Sequence, residues 1–351
     1  MAERFARGGR LFALAATPEA RSDARHVAVE FVHPVIVGKR ALPALALVGD
    51  PEELIVQAEL LVGAQDILFA FGPGTGAAIA QARGQGALTL AFRPGTDAEC
   101  EFSPAEGDPD LSQELVETLY HVLWELVHVF FEHRGLLSGR TARPRHDAGA
   151  SAFLYPFLDE REQDLESVVE DVRRSVLMKA REIGELRQST LADNAEVLES
   201  AAIALREGFA RGGKLLALGN GGSATDAMDV VADFRRAGHA AIDLTDDPGI
   251  LTAIANDVGS EAIFLRQVIA HGQPGDTVLA FSTSGGSANV LAALAEARHR
   301  GLTTIAMVGY GGGTIARDGL ADHVVVVSSE HIPRIQEAQA SAYHVLRELV
   351  G

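Results

Sequence analysis

Cysteine is almost absent from this sequence, since Cys100 is the one cysteine among 351 residues. An internal disulfide is therefore excluded, and a reducing compartment such as the cytoplasm is expected. Positive charge is also scarce: 30 lysines and arginines stand against 48 acidic residues, which gives a formal net charge of −18. This balance argues against nucleic acid or an anionic membrane as a partner, because both require a positive surface. No apolar run reaches the roughly 18 residues that a membrane-spanning helix needs.

Apolar residues make up 47% of the sequence, and 36 glycines accompany them. This composition is typical of a globular enzyme, and the length allows two domains. A long helical pattern without proline runs from about Glu160 to Arg211. After it, short apolar runs alternate with helical segments, which predicts βαβ units and a parallel sheet. The predicted strands are Lys214–Leu218, Ala240–Leu244, Thr277–Phe281, Thr303–Val308 and His323–Val327.

The two halves of the chain carry the same motifs in the same order. Residues 5–14, 23–31, 66–71 and 113–127 match residues 209–218, 226–234, 276–281 and 336–350. Four matches in one order indicate an internal repeat. We therefore predict an α/β fold of two tandem domains, each a flavodoxin-like parallel sheet flanked by helices. The predicted boundaries are 1–135 for the first domain, 136–160 for a linker and 161–351 for the second domain.

Two loops rich in glycine and serine follow predicted strands of the second repeat. Gly219–Ser223 joins one strand to a helix, and Ser282–Ser287 does the same after a later strand. Glycines allow close backbone approach, and free amides at the start of a helix attract an anion. Ligands of parallel sheets bind at the carboxyl ends of the strands, where both loops lie. The two loops together predict a phosphate site that needs no lysine.

Four motifs of the second repeat resemble the SIS (sugar isomerase) family, and more closely its sedoheptulose 7-phosphate isomerases, also called phosphoheptose isomerases. The motifs are Gly-Asn-Gly-Gly-Ser at 219–223, Ser-Thr-Ser-Gly-x-Ser at 282–287, Ala-Asn-Asp at 255–257 and Arg-Ile-Gln-Glu at 334–337. The resemblance covers residues 165–351 and, more weakly, 5–127. Gly286 departs from the family, which usually has asparagine there. The resemblance implies substrate binding by Asn220, Gly221, Gly222, Ser223, Asp257, Ser282, Thr283, Ser284 and Ser287.

The same resemblance implies a site for zinc, or for another divalent metal, together with acid–base groups. The family carries His-x-x-x-Glu on the helix after the first loop, and a glutamine and a histidine eight residues apart on the last helix. An aldose–ketose isomerisation needs a base for one proton and an acid for the neighbouring oxygen, and Glu30 and His121 would fill these roles. The metal set implied for the first repeat is His26, Glu30, Gln113 and His121.

The second repeat keeps only part of this set: Asp229 and Asp233 replace the histidine and the glutamate, while Gln336 and His344 remain. The first repeat has instead lost its phosphate loops, at residues 15–19 and 72–76. These complementary losses suggest a composite site, in which the second repeat holds the phosphate and the first supplies the metal and acid–base groups. The glutamine and the histidine are eight positions apart, which is about 12 Å along a helix axis, so one ion cannot easily bind both. Whether Gln113 or Gln336, and His121 or His344, complete the metal site stays open.

The predicted function is a metal-dependent isomerase that converts sedoheptulose 7-phosphate to a glycero-manno-heptose 7-phosphate. A ketose–aldose isomerase of another sugar phosphate is the second interpretation, because the loops recognise the phosphate and not the number of carbons. A non-catalytic SIS protein, either a sugar-phosphate sensor or a protein-binding scaffold, is the third. A homodimer of this chain would reproduce the four-domain arrangement of the family, and we expect that assembly.

Overall fold

The computed structural model describes residues 1–34, 39–104, 107–132 and 165–351. The chain divides into two compact units, Met1–Glu182 and Ile183–Gly351, and the division falls within one long helix. The predicted linker at 136–160 lies outside the described residues, as do the predicted domain boundaries beside it. These boundaries stay predictions.

The first unit is built from five short strands and the helices between them. Its strands are β1 (Leu11–Ala15), β2 (Ala44–Val48), β3 (Ile67–Phe71), β4 (Leu88–Ala91) and β5 (Cys100–Glu101). Its helices are α1 (Ala2–Ala6), α2 (Pro18–Val32), α3 (Pro51–Leu61), α4 (Gly76–Gly84), α5 (Pro109–Glu132) and the first part of α6 (Leu165–Asp193).

The second unit repeats this alternation. Its strands are β6 (Leu215–Leu218), β7 (Ala241–Asp243), β8 (Thr277–Ser282), β9 (Thr303–Val308) and β10 (His323–Val326). Its helices after α6 are α7 (Ala195–Ala210), α8 (Gly222–Arg236), α9 (Pro248–Asp257), α10 (Ile263–His271), α11 (Ala288–His299), α12 (Gly313–Arg317) and α13 (Ile332–Val350), with a 3₁₀ turn at Ser260–Ala262.

Each unit contains one five-stranded sheet, and the two sheets have the same strand order. The order is β2-β1-β3-β4-β5 in the first unit and β7-β6-β8-β9-β10 in the second. Every pairing is parallel. The central strands are buried along their whole length and mainly apolar, as expected for a sheet that is covered on both faces. The predicted α/β fold of two repeated parallel sheets is confirmed.

An aspartate at the start of the central strand is anchored identically in both units. Asp66 accepts from the backbone N–H groups of Arg10 and Gly63, and Asp276 accepts from those of Lys214 and Gln273. The Arg10 and Lys214 side chains also pair with these carboxylates, at 2.8 and 2.6 Å. The anchor ties the ends of two neighbouring strands together, which explains why the motif is present in both repeats.

The last helix of each repeat, α5 or α13, packs on the central strand through a tyrosine. The rings of Phe71 and Tyr120 are perpendicular with centroids 6.1 Å apart, and those of Phe281 and Tyr343 are perpendicular at 5.8 Å. In the first unit this contact places the next residue of α5, His121, against helix α2. In the second unit it places the next residue of α13, His344, against helix α8. Among the residues that the structure describes, none of the helices is long and apolar enough to cross a membrane.

Candidate functional site

A buried polar cluster lies between α2 and α5 of the first unit. Helix α2 begins at Pro18, whose fixed φ suits a first helical position, and the Thr17 hydroxyl caps it by accepting from the Ala20 N–H at 3.4 Å. One turn apart on its inner face are His26 and Glu30, which are 2% and 1% exposed. Their burial shows that this predicted His-x-x-x-Glu motif faces the protein interior and not the solvent.

The two predicted histidines meet within this cluster. The Nε2 atoms of His26 and His121 are 3.2 Å apart, and Glu30 Oε1 is 3.9 Å from His26 Nε2. Glu117, one turn before His121 on α5, brings a carboxylate oxygen to the same place: ligand atoms of His26, Glu117 and His121 all lie within 4.8 Å of one another. Gln113 lies one turn further back, and its amide donates to Asp23 Oδ1 at 3.4 Å.

Burial sets the protonation of the cluster. It raises the pKa of the Glu30 carboxyl from 4.5 to about 7, with His121 lowering the value and Glu125 raising it. Neither oxygen of Glu30 has a hydrogen-bond partner among the described residues. Burial, and then the neighbouring His121, hold the pKa of His26 well below its usual 6.5. His26 is therefore neutral near pH 7, as a metal-binding imidazole must be, and Glu30 exchanges its proton close to that pH.

Aromatic residues fix the position of this cluster. The indole N–H of Trp124 donates to the backbone oxygen of Glu30 at 2.7 Å, which ties α5 to α2. The Tyr120 ring packs against both His26 and His121, with ring centroids 5.3 and 4.9 Å away. Such contacts restrict the rotation of the imidazoles.

The cluster fits a zinc ion. Two imidazole nitrogens, each about 2.0–2.1 Å from a tetrahedral zinc, are separated by about 3.3 Å, close to the 3.2 Å between the two Nε2 atoms. Buried histidines with a carboxylate are a ligand set that zinc accepts. The first unit thus brings together three of its four predicted metal-site residues, His26, Glu30 and His121.

The equivalent positions of the second unit form a different network. Asp229 accepts a hydrogen bond from the Tyr343 hydroxyl at 2.6 Å. Asp233 pairs with Arg236 at 2.8 Å and lies 3.5 Å from His344 Nε2. Gln336 is buried on the first turns of α13. His344 therefore lies beside two aspartates, whereas His121 of the first unit lies beside a histidine and a glutamate.

The first predicted phosphate loop of the second unit folds tightly between β6 and α8. Gly219 has no room for a side chain, because a Cβ there would lie 2.2 Å from the Ser223 backbone oxygen. Gly221 has a φ of +59° immediately before the helix. Helix α8 then begins at Gly222, and Ser223 lies in its first turn. The loop thus presents the start of a 15-residue helix, whose dipole favours an anion, while the Ser223 and Ala224 amides donate to the backbone oxygens of Asn220 and Gly221.

The second predicted phosphate loop lies at the end of the adjacent strand β8. The Ser282 and Ser287 hydroxyls are 3.5 Å apart, and Ser284 Oγ accepts from the Gly286 N–H at 3.3 Å. Thr283 is partly buried, and its backbone oxygen accepts from Gly309. Because β6 and β8 are hydrogen-bonded neighbours, both predicted loops lie at the same edge of the sheet.

The two loops are linked through a pair of asparagines. Asn220 and Asn289 exchange two side-chain hydrogen bonds, at 2.9 and 2.8 Å. Asp257, by contrast, is exposed at the end of α9, where its carboxylate accepts from Asn256 at 2.7 Å. The described contacts of Asp257 do not include the two loops, whereas the other predicted substrate residues lie within them.

Sequence reasoning missed Glu117 and Asn289. Glu117 could have been found from its i,i+4 spacing to His121, which places both residues on one helix face. Asn289 could have been found from its position, two residues after the last loop serine and at the start of α11. The pairing of Asn289 with Asn220 across 69 positions, however, has no local signal.

Comparisons with known proteins identify a family for about half of the chain. The SIS domain family model matches residues 180–309. Phosphoheptose isomerase from Roseiflexus sp. (strain RS-1) is 43% identical over 192 residues, which are 52% of this chain and 91% of that protein. Phosphoheptose isomerase from Nitratidesulfovibrio vulgaris is 41% identical over 188 residues, which are 52% of this chain and 89% of that protein.

Several solved structures match almost the whole chain. The C-terminal domain of glucosamine-fructose-6-phosphate aminotransferase from Francisella tularensis aligns with 99% of this chain and 86% of its own, with a TM-score of 0.62 and 12% identity. At that identity the likeness concerns the fold alone. It supports two SIS-type domains in tandem.

Proposed function

The chain belongs to the SIS-domain family, in the group of the phosphoheptose isomerases, and we propose that it isomerises a seven-carbon sugar phosphate. The substrate would be sedoheptulose 7-phosphate and the product a glycero-manno-heptose 7-phosphate. One observation carries the proposal: a buried glutamate with a near-neutral pKa lies beside two facing histidines in a chain that also has paired phosphate loops. A carboxylate of this kind is suited to general base catalysis near neutral pH.

The phosphate would bind at the loops of the second unit. Backbone amides at the start of α8 and the hydroxyls of Ser282, Ser284 and Ser287 would donate to its oxygens, and the Asn220–Asn289 pair would keep the loops in register. No cation is needed for this recognition, which suits a chain with a strong negative charge. Binding of the remote phosphate would position the reacting carbons, which is a recognised use of binding energy.

Proton transfer would be carried out by Glu30. Its carboxylate would take the proton from C1 of the ketose and return it to C2, which leaves the carbon skeleton unchanged. The pair His26 and His121 would act on the oxygen side of the reaction by holding the metal. A bound zinc, or another divalent ion, would polarise the C1 and C2 oxygens as a Lewis acid.

The active site would draw on both repeats. The first repeat has the acid–base cluster without serine loops, and the second has the loops with Asp229 and Asp233 in place of the histidine and glutamate. We propose that these two half-sets act on one substrate molecule, whether the contributing repeats belong to one chain or to two copies in a homodimer. The cytoplasmic location and the dimeric state stay predictions.

A turnover assay tests this function. Purified protein is incubated with sedoheptulose 7-phosphate, and with fructose 6-phosphate and ribulose 5-phosphate as alternatives, before and after treatment with a chelator. We expect the seven-carbon ketose to be converted to an aldose fastest, and the chelator to reduce the rate. Tight binding of a sugar phosphate without turnover of any of the three would contradict the proposal and favour a sensor.

A further inference from the structure

A third loop rich in glycine lies at the carboxyl edge of the second sheet. It spans residues 309–313, directly after β9, and four of its five residues are glycine, while the fifth is Tyr310. Strand β9 pairs with β8 in parallel, so this loop lies beside the predicted phosphate loop at residues 282–287. It is therefore placed to contact a molecule that the neighbouring loop binds.

The two neighbouring loops are fixed to each other through their backbones. The Gly309 N–H donates to the Thr283 oxygen at 3.0 Å, and the Ile315 N–H donates to the Gly285 oxygen at 3.1 Å. A Cβ at Gly285 would lie 2.3 Å from the Gly312 oxygen, so the loops are in direct contact there. The backbone of the glycine loop thus has a defined position relative to the serine loop.

Tyr310 has a backbone conformation that its side chain does not favour. Its φ is +53°, and among the described residues the other non-glycine residue with a positive φ is Asp97, at +60°. Aspartate tolerates this region because its short side chain can hydrogen-bond locally, an option that tyrosine does not have. Glycine would adopt the turn without strain, and it occupies the other four positions of the loop. The turn itself therefore does not require tyrosine, which indicates a use for the side chain.

The Tyr310 side chain contributes little to the packing of the unit, since it is 39% exposed. The backbone N–H of Tyr310 donates to the Ser329 oxygen at 3.0 Å. Its hydroxyl, by contrast, has no hydrogen-bond partner and its ring no aromatic partner in the part of the chain that the structure describes. A ring of this kind offers an apolar face and a polar hydroxyl, which suit the C–H and O–H groups of a sugar.

We infer that the Tyr310 side chain contacts the sugar part of a bound sugar phosphate and helps to select it. In the proposed function the phosphate lies at the loops that follow β6 and β8, and β9 is the next strand after β8. Neighbouring strands are about 4.8 Å apart, so the end of β9 is within reach of the carbons next to that phosphate. The contact rests on the proposed function, because that function places the phosphate there.

Binding measurements with two probes test this contact on the full-length chain. The probes are a seven-carbon alditol phosphate, which has no carbonyl group to isomerise, and inorganic phosphate, each titrated by calorimetry. Tyr310→Gly and Tyr310→Asn both accept a positive φ and remove the ring. We expect each variant to bind the alditol phosphate about 3- to 10-fold more weakly, which corresponds to one aromatic contact, and inorganic phosphate within about twofold of wild type.

Two control variants separate the ring from the backbone strain. Asp97→Gly relieves the other positive φ, in the loop after β4, the strand whose place in the first sheet matches that of β9 in the second. It removes no ring and should leave both affinities unchanged. Tyr310→Phe keeps the ring and should retain most of the affinity for the alditol phosphate.

Urea unfolding distinguishes a contact with the sugar from a role in the fold. Tyr310→Gly relieves strain, so its unfolding midpoint should equal or exceed that of the wild type even though its affinity falls. Unchanged affinity for the alditol phosphate in Tyr310→Gly would overturn the inference, whether or not the variant also loses a dimer partner in size-exclusion chromatography. An equal loss for inorganic phosphate, or a loss of affinity that accompanies a lower unfolding midpoint, would overturn it as well.

Turnover of sedoheptulose 7-phosphate by the same preparations separates this contact from the proposed function. Binding of the alditol phosphate that depends on Tyr310, in a chain that isomerises no sugar phosphate, contradicts the proposed function alone. Isomerisation with a wild-type KM in Tyr310→Gly contradicts the contact alone.

Discussion

The two repeats share a framework and differ in the residues attached to it. The strand order, the aspartate anchor of the central strand and the tyrosine of the last helix are the same in both. The first repeat has a buried pair of histidines with glutamates, and the second has two linked loops rich in glycine and serine. The comparison teaches that the framework does not depend on these polar residues, since each repeat keeps the same sheet with a different set of them.

The largest effect should come from the matched histidines of the last helices. His121→Ala is expected to lower kcat by about 10²–10⁴-fold, since in the proposed mechanism this side chain holds the metal and acts beside the reacting carbons. His344→Ala, at the equivalent position of the second repeat, should keep most of the activity, because His344 lies beside Asp233 and Asp229. Steady-state kinetics of both variants would make the comparison, with circular dichroism to check folding. Equal losses would show that both repeats carry chemistry.

The next largest effect concerns stability and pH. The folded pKa of Glu30 lies above its usual 4.5, at about 7, so the folded state binds more protons than the unfolded state between these values. The contribution of Glu30 to stability should therefore fall as pH rises through this window, by about 2–3 kcal/mol between pH 5 and pH 8. The lowered pKa of His26 acts in the opposite sense over part of this range, because its imidazole binds a proton more readily in the unfolded state. Glu30→Gln should remove only the Glu30 contribution from the chelator-treated protein, so the stability of the wild type relative to Glu30→Gln should fall by that amount.

Urea unfolding at pH 5 and pH 8 measures this effect. The exposed Glu52→Gln, on α3, is the matched control and should follow the wild type at both values. If the Glu30→Gln and wild-type curves shift equally with pH, Glu30 is not the group that titrates.

A smaller effect is expected from glycines in loops of the two repeats. Gly219→Ala would place a Cβ 2.2 Å from the Ser223 oxygen, so the start of α8 must shift. We expect a loss of about 1–3 kcal/mol in unfolding free energy and a raised KM. Gly76→Ala, at the start of α4, has open space around the added atom and should leave KM unchanged. A Gly219→Ala protein with wild-type KM would show that this loop does not bind the substrate.

The smallest effect should come from the link between the loops. Asn289→Ala removes both hydrogen bonds with Asn220, each worth about 0.5–1.5 kcal/mol, and leaves the loop backbones in place. KM is expected to rise by about 3- to 10-fold with little change in kcat. A larger fall in kcat than in affinity would indicate that Asn289 contacts the reacting carbons and not the loops.

The fold could be predicted from the sequence because its signals are local or repeated. The strand at Thr303–Val308 is a continuous apolar run between turns, and the structure gives it those bounds. Asn194 shows where local reasoning fails, since it interrupts the predicted long helix between α6 and α7. Its side chain hydrogen-bonds with the backbone of Val326 on the edge strand. The two residues are 132 positions apart, so the local helical pattern gives no sign of this contact.

The candidate site was predictable only in part. His26 and Glu30 are one helical turn apart, so the spacing itself places them together. The addition of Glu117 depends on how α5 packs against α2, which is set by buried contacts such as that between Trp124 and the Glu30 backbone. The same holds for the burial that shifts the pKa of Glu30, because burial is a property of the folded unit and not of the motif.

The central claim is that the first repeat supplies the acid–base chemistry and the second does not. Its most direct test is the matched pair Glu30→Gln and Asp233→Asn, assayed for turnover of sedoheptulose 7-phosphate beside the wild type. We expect Glu30→Gln to lower kcat by about 10²–10⁴-fold with KM nearly unchanged, and Asp233→Asn to keep kcat. Wild-type turnover in Glu30→Gln, with loss of activity in Asp233→Asn, would contradict the claim.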